Sequence, residues 1–232
     1  MPRSVAINVG ANTNAPGFRG PIYDDGRFEY VPIPEEKATI EPVATYADLG
    51  LSMDIPAEIR DTPVHLDPEF AGYGPCEAYT YGDPFGVKAK PLSELSAGDY
   101  LFFYATLSTV GDQPASWISP RWGCYLIGQF ELATAPVTGE AFAHLPAEQQ
   151  AAFSSNAHLK RDPFDARVLV RGDPEGSQLY ERAVPLSSPE AGATANHIVT
   201  EWSSDSGNGP WWRRPLRFSE RATERLLDVV TG

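Results

Sequence analysis

The stretch from Gly98 to Leu132 constrains the fold more than any other part of the chain. It holds Gly-Asp-Tyr-Leu-Phe-Phe-Tyr-Ala-Thr-Leu over 98–107 and Gly-Cys-Tyr-Leu-Ile-Gly-Gln-Phe-Glu-Leu over 123–132, separated by a polar loop. Both runs are rich in aromatic and aliphatic residues and are bounded by Gly, Pro, Asp and Ser, which is the pattern of strands. Leu101-Phe102-Phe103-Tyr104 has no alternation, so it predicts a strand buried on both faces. The intervening loop, with Gly111, Asp112, Pro114 and Pro120, is consistent with antiparallel pairing. We expect this pair to form the core of a small β-barrel or strongly curved sheet, with Phe102, Phe103, Leu126 and Ile127 inside it.

A chain of 232 residues is long enough to bury a substantial core, as one domain with appendages or two small ones. The 22 prolines and 20 glycines predict short elements and much ordered loop. The formal net charge is −13, and Lys occurs only at 37, 88, 90 and 160. Excess carboxylate with scarce Lys suits a protein that folds in molar salt, where charge repulsion is screened within about 3 Å, so a halophilic origin is expected. An ordinary acidic cytosolic protein is the alternative. Against an acidic background, a local basic cluster carries more weight as a nucleic-acid contact. Cys76 and Cys124 are distant and lack metal-binding spacing, so reduced, cytoplasmic thiols are expected. No apolar run approaches the ~20 residues of a membrane span, and the apolar run among the first residues is too short for a signal peptide.

Taken in order, residues 4–9 read as a strand, followed by a Gly/Asn loop at 10–23 that contains Asn12, Asn14 and Arg19. Asn and Gly tolerate positive φ and can turn backbone N–H groups toward an anion, although a plain connection fits equally well. Residues 4–34 together read as a hairpin. Tyr46-Ala-Asp-Leu opens a short helix, and Pro91–Leu95 makes a helical turn before the first apolar strand. In Thr62-Pro-Val-His-Leu-Asp-Pro, an extended backbone places His65 and Asp67 on one face. Such a pair binds a metal or does acid–base work, or else His65 is merely oriented and Asp67 begins a turn. The four histidines, at 65, 144, 158 and 197, are scattered, so no multi-histidine metal cage is expected. A helix is predicted over 140–153, interrupted at Pro146. Residues 167–172 and 178–186 read as a second hairpin, and Asn196–Val199 as a last strand or helical turn. The tail carries Trp211, Trp212, Arg213, Arg214, Arg217, Arg221 and Arg225 against Glu220 and Glu224. Aromatics beside arginines suit a stacked, phosphate-bearing ligand, whereas a salt-bridged surface helix over 219–230 is the plainer reading.

Two resemblances meet on these residues. The Gly-Asp-Tyr-Leu-Phe-Phe-Tyr and Gly-Cys-Tyr-Leu-Ile-Gly-Gln-Phe-Glu-Leu runs resemble the strand pattern of PUA-like domains of the EVE and ASCH types, small barrels that read modified or flipped bases. More of the chain is similar to the third nucleotide-modification-associated domain family. The similarity lies in Gly20–Arg27-Phe, Val31-Pro-Ile-Pro34, His65-Leu-Asp-Pro68, Gly98–Phe103, the segment around His158, and Trp212–Phe218. It implies one α+β domain over 1–232, mostly antiparallel and barrel-like, with short peripheral helices. It also implies a nucleic-acid- or nucleotide-binding protein of a DNA base-modification pathway that holds a modified base in a barrel mouth. The alternatives are an enzyme acting on a modified nucleotide and a protein-interaction subunit of a modification or defence complex. The expected catalytic residues are His65, Asp67 and His158. The expected nucleotide-binding residues are Asn12, Asn14, Arg19, Trp212, Arg213 and Arg214, and Arg19, His65, Asp67, Trp212 and Arg214 are expected to converge on one concave pocket at a barrel mouth. No metal or other cofactor is expected, and the partners are nucleic acid or nucleotide and other proteins of the pathway, without a membrane.

Overall fold

A computed structural model of the chain describes residues 1–231. In chain order the strands and helices are β1 Ser4–Asn8, β2 Pro21–Ile22, β3 Ile33–Pro34, β4 Val64–His65, β5 Thr80–Asp83, α1 Gly86–Ser93, β6 Tyr100–Thr109 and β7 Trp122–Glu131. They continue with β8 Val137–Thr138, α2 Gly139–Phe142, α3 Ala147–Ala151, β9 Val168–Arg171, β10 Gln178–Pro185, β11 Leu216–Phe218 and α4 Glu220–Thr231. Short 3-10 or π turns lie at Tyr46–Leu49, Ala57–Ile59, Ile198–Trp202 and Trp211–Arg213. The fold is mixed α+β. The chain divides into two compact units, one made of 1–31, 99–129 and 179–232 and the other of 32–98 and 130–178.

The first unit is built on a sheet of order β10-β7-β6-β1-β11, with β2 pairing β6 beyond β1. Leu101, Phe102, Phe103 and Tyr104 on β6 and Leu126 and Ile127 on β7 are fully buried, as a run without alternation requires. Hydrogen bonds from Thr109 N–H to Arg121 O and from Gly98 N–H to Leu132 O close the two ends of this pair in opposite order, so it is antiparallel. The helix α4 adds Ala222 and Leu226 to a cluster with Phe102, Tyr104, Leu126, Trp211, Leu216 and Phe218.

Two expectations change here. The sheet is an open path ending at β10 and β11, not a closed barrel. Residues 4–34 do not form a hairpin: β1 runs parallel to β6, Ser4 opposite Tyr100 through Asn8 opposite Tyr104, and antiparallel to β11. Val5, Ala6 and Ile7 are buried, so both faces of this strand are covered, as befits a place inside the sheet. Parallel neighbours need a long connection, and the intervening chain between β1 and β6 supplies it.

The second unit holds a three-stranded antiparallel sheet of order β5-β9-β8 and the antiparallel pair β3-β4. The predicted hairpin of 167–172 with 178–186 is also corrected. β9 lies between β5 and β8, whereas β10 pairs with β7. The turn after Gly172 forms, with Asp173 accepting from Glu175 N–H at 2.9 Å. Val168, Leu169 and Val170 are nevertheless all buried, so β9 takes an interior place, while β10 buries only Tyr180 and Ala183. The predicted helix over 140–153 breaks at Pro146 into α2 and α3, and α1 begins before the predicted turn and contains Pro91. Among the described residues no helix is long and apolar enough to cross a membrane.

Candidate functional site

The second unit carries a polar cluster in its interior. β4 pairs with β3 so that His65 lies opposite Ile33, and Glu35 follows directly after β3. Alternation beyond β4 puts Val64 and Leu66 toward a cavity of about 380 Å3, also lined by Glu69, Cys76, Ser155 and Lys160. His65 and Asp67 take the other face, as the spacing predicts. There they meet His158: the His65 and His158 rings are 4.8 Å apart, edge to face. His158 Nε2 stands 3.4 Å and His65 Nε2 3.9 Å from Asp67 Oδ2. All three residues are buried, with exposures of 4 %, 8 % and 1 % for His65, Asp67 and His158.

Backbone and amide groups fix this triad. Gly82 N–H donates to both Asp67 oxygens at 3.0 and 3.1 Å. A side chain on Gly82 would bring its Cβ within 2.6 Å of His158 Cδ2, so this strand interior admits glycine alone. Asn156 Nδ2 donates to Asp67 Oδ1 at 3.2 Å and to Thr80 Oγ1 at 3.0 Å, and Asn156 Oδ1 accepts from His158 N–H at 3.0 Å.

A second ring of charge surrounds the histidines. His65 Nδ1 lies 2.7 Å from Glu35 Oε2, and His158 Nδ1 lies 2.6 Å from Asp165 Oδ1. Arg161 Nε donates to both Glu35 oxygens at 3.1 and 3.0 Å, and its Nη1 donates to Asp165 Oδ2 at 3.0 Å. Lys37 Nζ reaches the same Asp165 oxygen at 2.5 Å. Burial raises the Glu35 carboxyl, but hydrogen bonds from His65 and Arg161 outweigh it and hold its pKa at about 2. Asp165 is likewise raised by burial and brought down to about 2 by His158 and Lys37. Burial opposes a charged His158, yet hydrogen bonding and charge from Asp67, then Asp165, leave its pKa above the ordinary histidine value. Taking this many charges out of water costs several kcal/mol per ion before pairing offsets it, and apolar residues of similar volume would hold the fold as well. Perturbed groups gathered in this way make the cluster a candidate functional site.

The nucleotide-binding candidates belong to the first unit. The Arg19 guanidinium lies 4.8 Å from the centre of the Trp122 ring, and Trp122 meets Trp212 edge to face at 5.6 Å. Arg19 Nε is buried with no hydrogen-bond partner among the described residues, and burial lowers the guanidinium pKa. Arg19 and Trp212 therefore share one aromatic cluster. Arg214 is taken up by Asp205, at 2.7 and 2.9 Å, and by Asn208 O at 2.7 Å. Arg213 is exposed at the end of its 3-10 turn, and Trp211 is core, its indole N–H donating to Ala193 O at 2.9 Å. Asn12 folds onto its own loop, accepting from Thr13 N–H at 2.8 Å, and Asn14 is exposed.

Three residues read from the sequence thus come together in the second unit, and two of the four scattered histidines meet after all. Glu35, Arg161, Asp165, Gly82 and Asn156 complete the site and were not singled out for it by sequence reasoning. Gly82 inside a strand was the one signal available, because an interior glycine marks close approach of another group. A model of the family described as nucleotide modification associated domain 3 matches residues 3–228. No curated protein and no solved structure matches the chain.

Proposed function

Because the chain belongs to the nucleotide modification associated domain 3 family, we propose that it is an enzyme of a base-modification pathway, with its reaction centre at His65, Asp67 and His158. The convergence of these three side chains inside one unit is the observation that supports this reading. Each imidazole is braced at Nδ1 by a carboxylate, Glu35 or Asp165, which leaves Nε2 as its working atom. A braced imidazole exchanges a proton at Nε2 or donates its lone pair there, and both uses serve chemistry on a base or nucleotide. The family description points to a nucleotide, free or within nucleic acid, as the substrate class.

A second reading, a protein that binds a modified base without converting it, is favoured by the first unit. An indole face beside a half-buried guanidinium suits a stacked base with its phosphate, and Arg19 Nε is a donor ready for either. One experiment separates the two. The purified chain is incubated with free nucleotides and with DNA carrying modified bases, and products are followed by mass spectrometry of the digested nucleosides. Conversion that falls by about 10²–10⁴-fold in His158→Ala supports the enzyme. Saturable binding without conversion, weakened by Trp212→Ala, would replace it with the binding protein.

A further inference from the structure

We infer that His65, Asp67 and His158 are the protein ligands of a divalent transition-metal ion, bound through both Nε2 atoms and one carboxylate oxygen. The inference deepens the enzyme reading, on which it rests for its site, by naming what that site holds.

The tautomers come first. Nδ1 of His65 and of His158 each face a carboxylate oxygen, at 2.7 and 2.6 Å. Arg161 Nη2 and Nη1 approach the same Nδ1 atoms at 3.1 and 3.3 Å. The carboxylate contacts are shorter, and Arg161 already donates to Glu35 and Asp165, so the ring hydrogens sit on Nδ1. This is the carboxylate–histidine arrangement that orients imidazoles toward a metal. It leaves Nε2 of each ring as the atom whose lone pair a metal ion takes in place of a proton.

Those lone pairs face an acceptor. Asp67 Oδ2 lies 3.4 Å from one Nε2 and 3.9 Å from the other. A single proton joins only one pair of acceptors; a cation joins all three. One donor atom from each residue lies within 4.8 Å of the others. Ligands about 2.1 Å from a common ion stand about 3.4 Å apart in a tetrahedron, so the His158–Asp67 pair already fits, the His65–Asp67 pair closes by roughly half an ångström, and the widest gap closes by roughly an ångström or more. The glycine at 82 leaves room for the His158 ring, and Gly82 N–H and Asn156 orient the carboxylate.

Charge and ligand chemistry agree. Around the triad, Glu35 and Asp165 are matched by Arg161 and Lys37. With both imidazoles deprotonated at Nε2, as ligation of a metal requires, the triad contributes one negative charge. The unit around it holds 19 Asp and Glu against 8 Lys and Arg, counted over 32–98 and 130–178, which raises the local concentration of cations. Two imidazoles and one carboxylate suit Zn2+, Fe2+, Mn2+ or Co2+, whereas Mg2+ and Ca2+ call for oxygen ligands. Three protein ligands leave further positions for water or substrate, which is the pattern of a catalytic ion.

The test uses Co2+ as the probe. The full-length protein is titrated with Co2+ under anaerobic conditions, with Zn2+ added in competition, and its visible absorption and histidine ring NMR signals are followed. We expect one equivalent to bind and to shift or broaden the signals of His65 and His158, leaving His144 and His197 unmoved. Glu35→Gln, checked for a native melting curve, should bind about 10–100-fold more weakly. No uptake, or uptake that moves only His144 or His197, overturns the inference. If uptake fails while His158→Ala still abolishes conversion, the metal falls and the enzyme reading stands. If one ion binds at the triad and conversion never occurs, the metal site stands and the enzyme reading falls.

Discussion

The two units solve the same problem with opposite materials. The first places Phe102, Phe103, Tyr104, Leu126 and Ile127 at its centre and is close to neutral, with 12 Asp and Glu against 10 Lys and Arg. The second carries nearly all of the excess negative charge and puts a His–Asp–His triad ringed by Glu35, Arg161 and Asp165 in its interior. Apolar burial adds stability in proportion to area and asks little of geometry. A buried ionic cluster does the reverse: it adds little net stability and holds only if every partner is in place. The comparison accords with the proposal that stability rests on one centre and chemistry on the other.

The largest effect expected is an inversion between two substitutions. His65→Ala should lower conversion of a nucleotide substrate by about 10²–10⁴-fold. Phe103→Ala should cost about 3–5 kcal/mol of folding stability and leave the folded fraction active. Activity and urea unfolding measured on both proteins decide it. If Phe103→Ala is silent in unfolding, β6 is not the centre of the first unit. If it abolishes activity in protein that remains folded, the division between the units fails.

Next in size is a contrast between two arginines. Arg161→Met leaves Glu35 and Asp165 without their buried cation and should destabilise by about 3–5 kcal/mol. Arg214→Met removes an ion pair to Asp205 in which the arginine is 45 % exposed, and should cost less than about 1 kcal/mol. Equal losses in urea unfolding would mean that the second unit's cluster is as dispensable as a surface pair.

The sequence revealed these centres unequally, for physical reasons. Phe102–Phe103 and Leu126–Ile127 were legible because an unbroken apolar run has no stable place except between two covered faces. His65 and Asp67 were legible because period two on an extended segment fixes which side chains share a face. Glu35, Arg161 and Asp165 were not, because charged residues on separate loops look solvated until the chain folds them together. Turn residues at 172–176 announced a turn and were misread as announcing a partner; β9 turns away from β10 to reach β5 and β8. Trp211 and Trp212 carry the same local signal, yet a 3-10 turn sends the first into the core and the second against Trp122. The barrel expectation failed on connectivity, because the path of paired strands ends at β10 and β11, which do not pair with each other.

A smaller effect is expected at the aromatic cluster of the first unit. Stacking contributes about 1–3 kcal/mol per base, so Trp212→Ala should weaken nucleotide binding roughly tenfold or more. Fluorescence titration with a mononucleotide and with a short single strand measures it. An unchanged affinity would leave Trp212 as packing against Trp122 and take the stacking role away from this unit.

The smallest effect separates the units by salt, and each unit carries its own reporter. Cys124 is buried in the first and Cys76 in the second, and burial pushes both thiols up to about 12, with the charge of Glu69 adding to the shift at Cys76. Neither is a thiolate at neutral pH, so alkylation reads opening of the surrounding structure rather than native reactivity. The carboxylate excess lies in the second unit, and its self-repulsion is screened as the Debye length falls from about 30 Å at 0.01 M to about 3 Å at 1 M. Raising KCl across that range should therefore slow labelling of Cys76 by a larger factor than labelling of Cys124. Each exposed charge pair contributes at most about 1 kcal/mol, so the difference is modest and has to be read from rates on the same sample. Equal slowing of the two thiols would show that the charge asymmetry has no bearing on stability. Faster labelling of Cys76 in high salt would remove the expectation of a salt-adapted protein altogether.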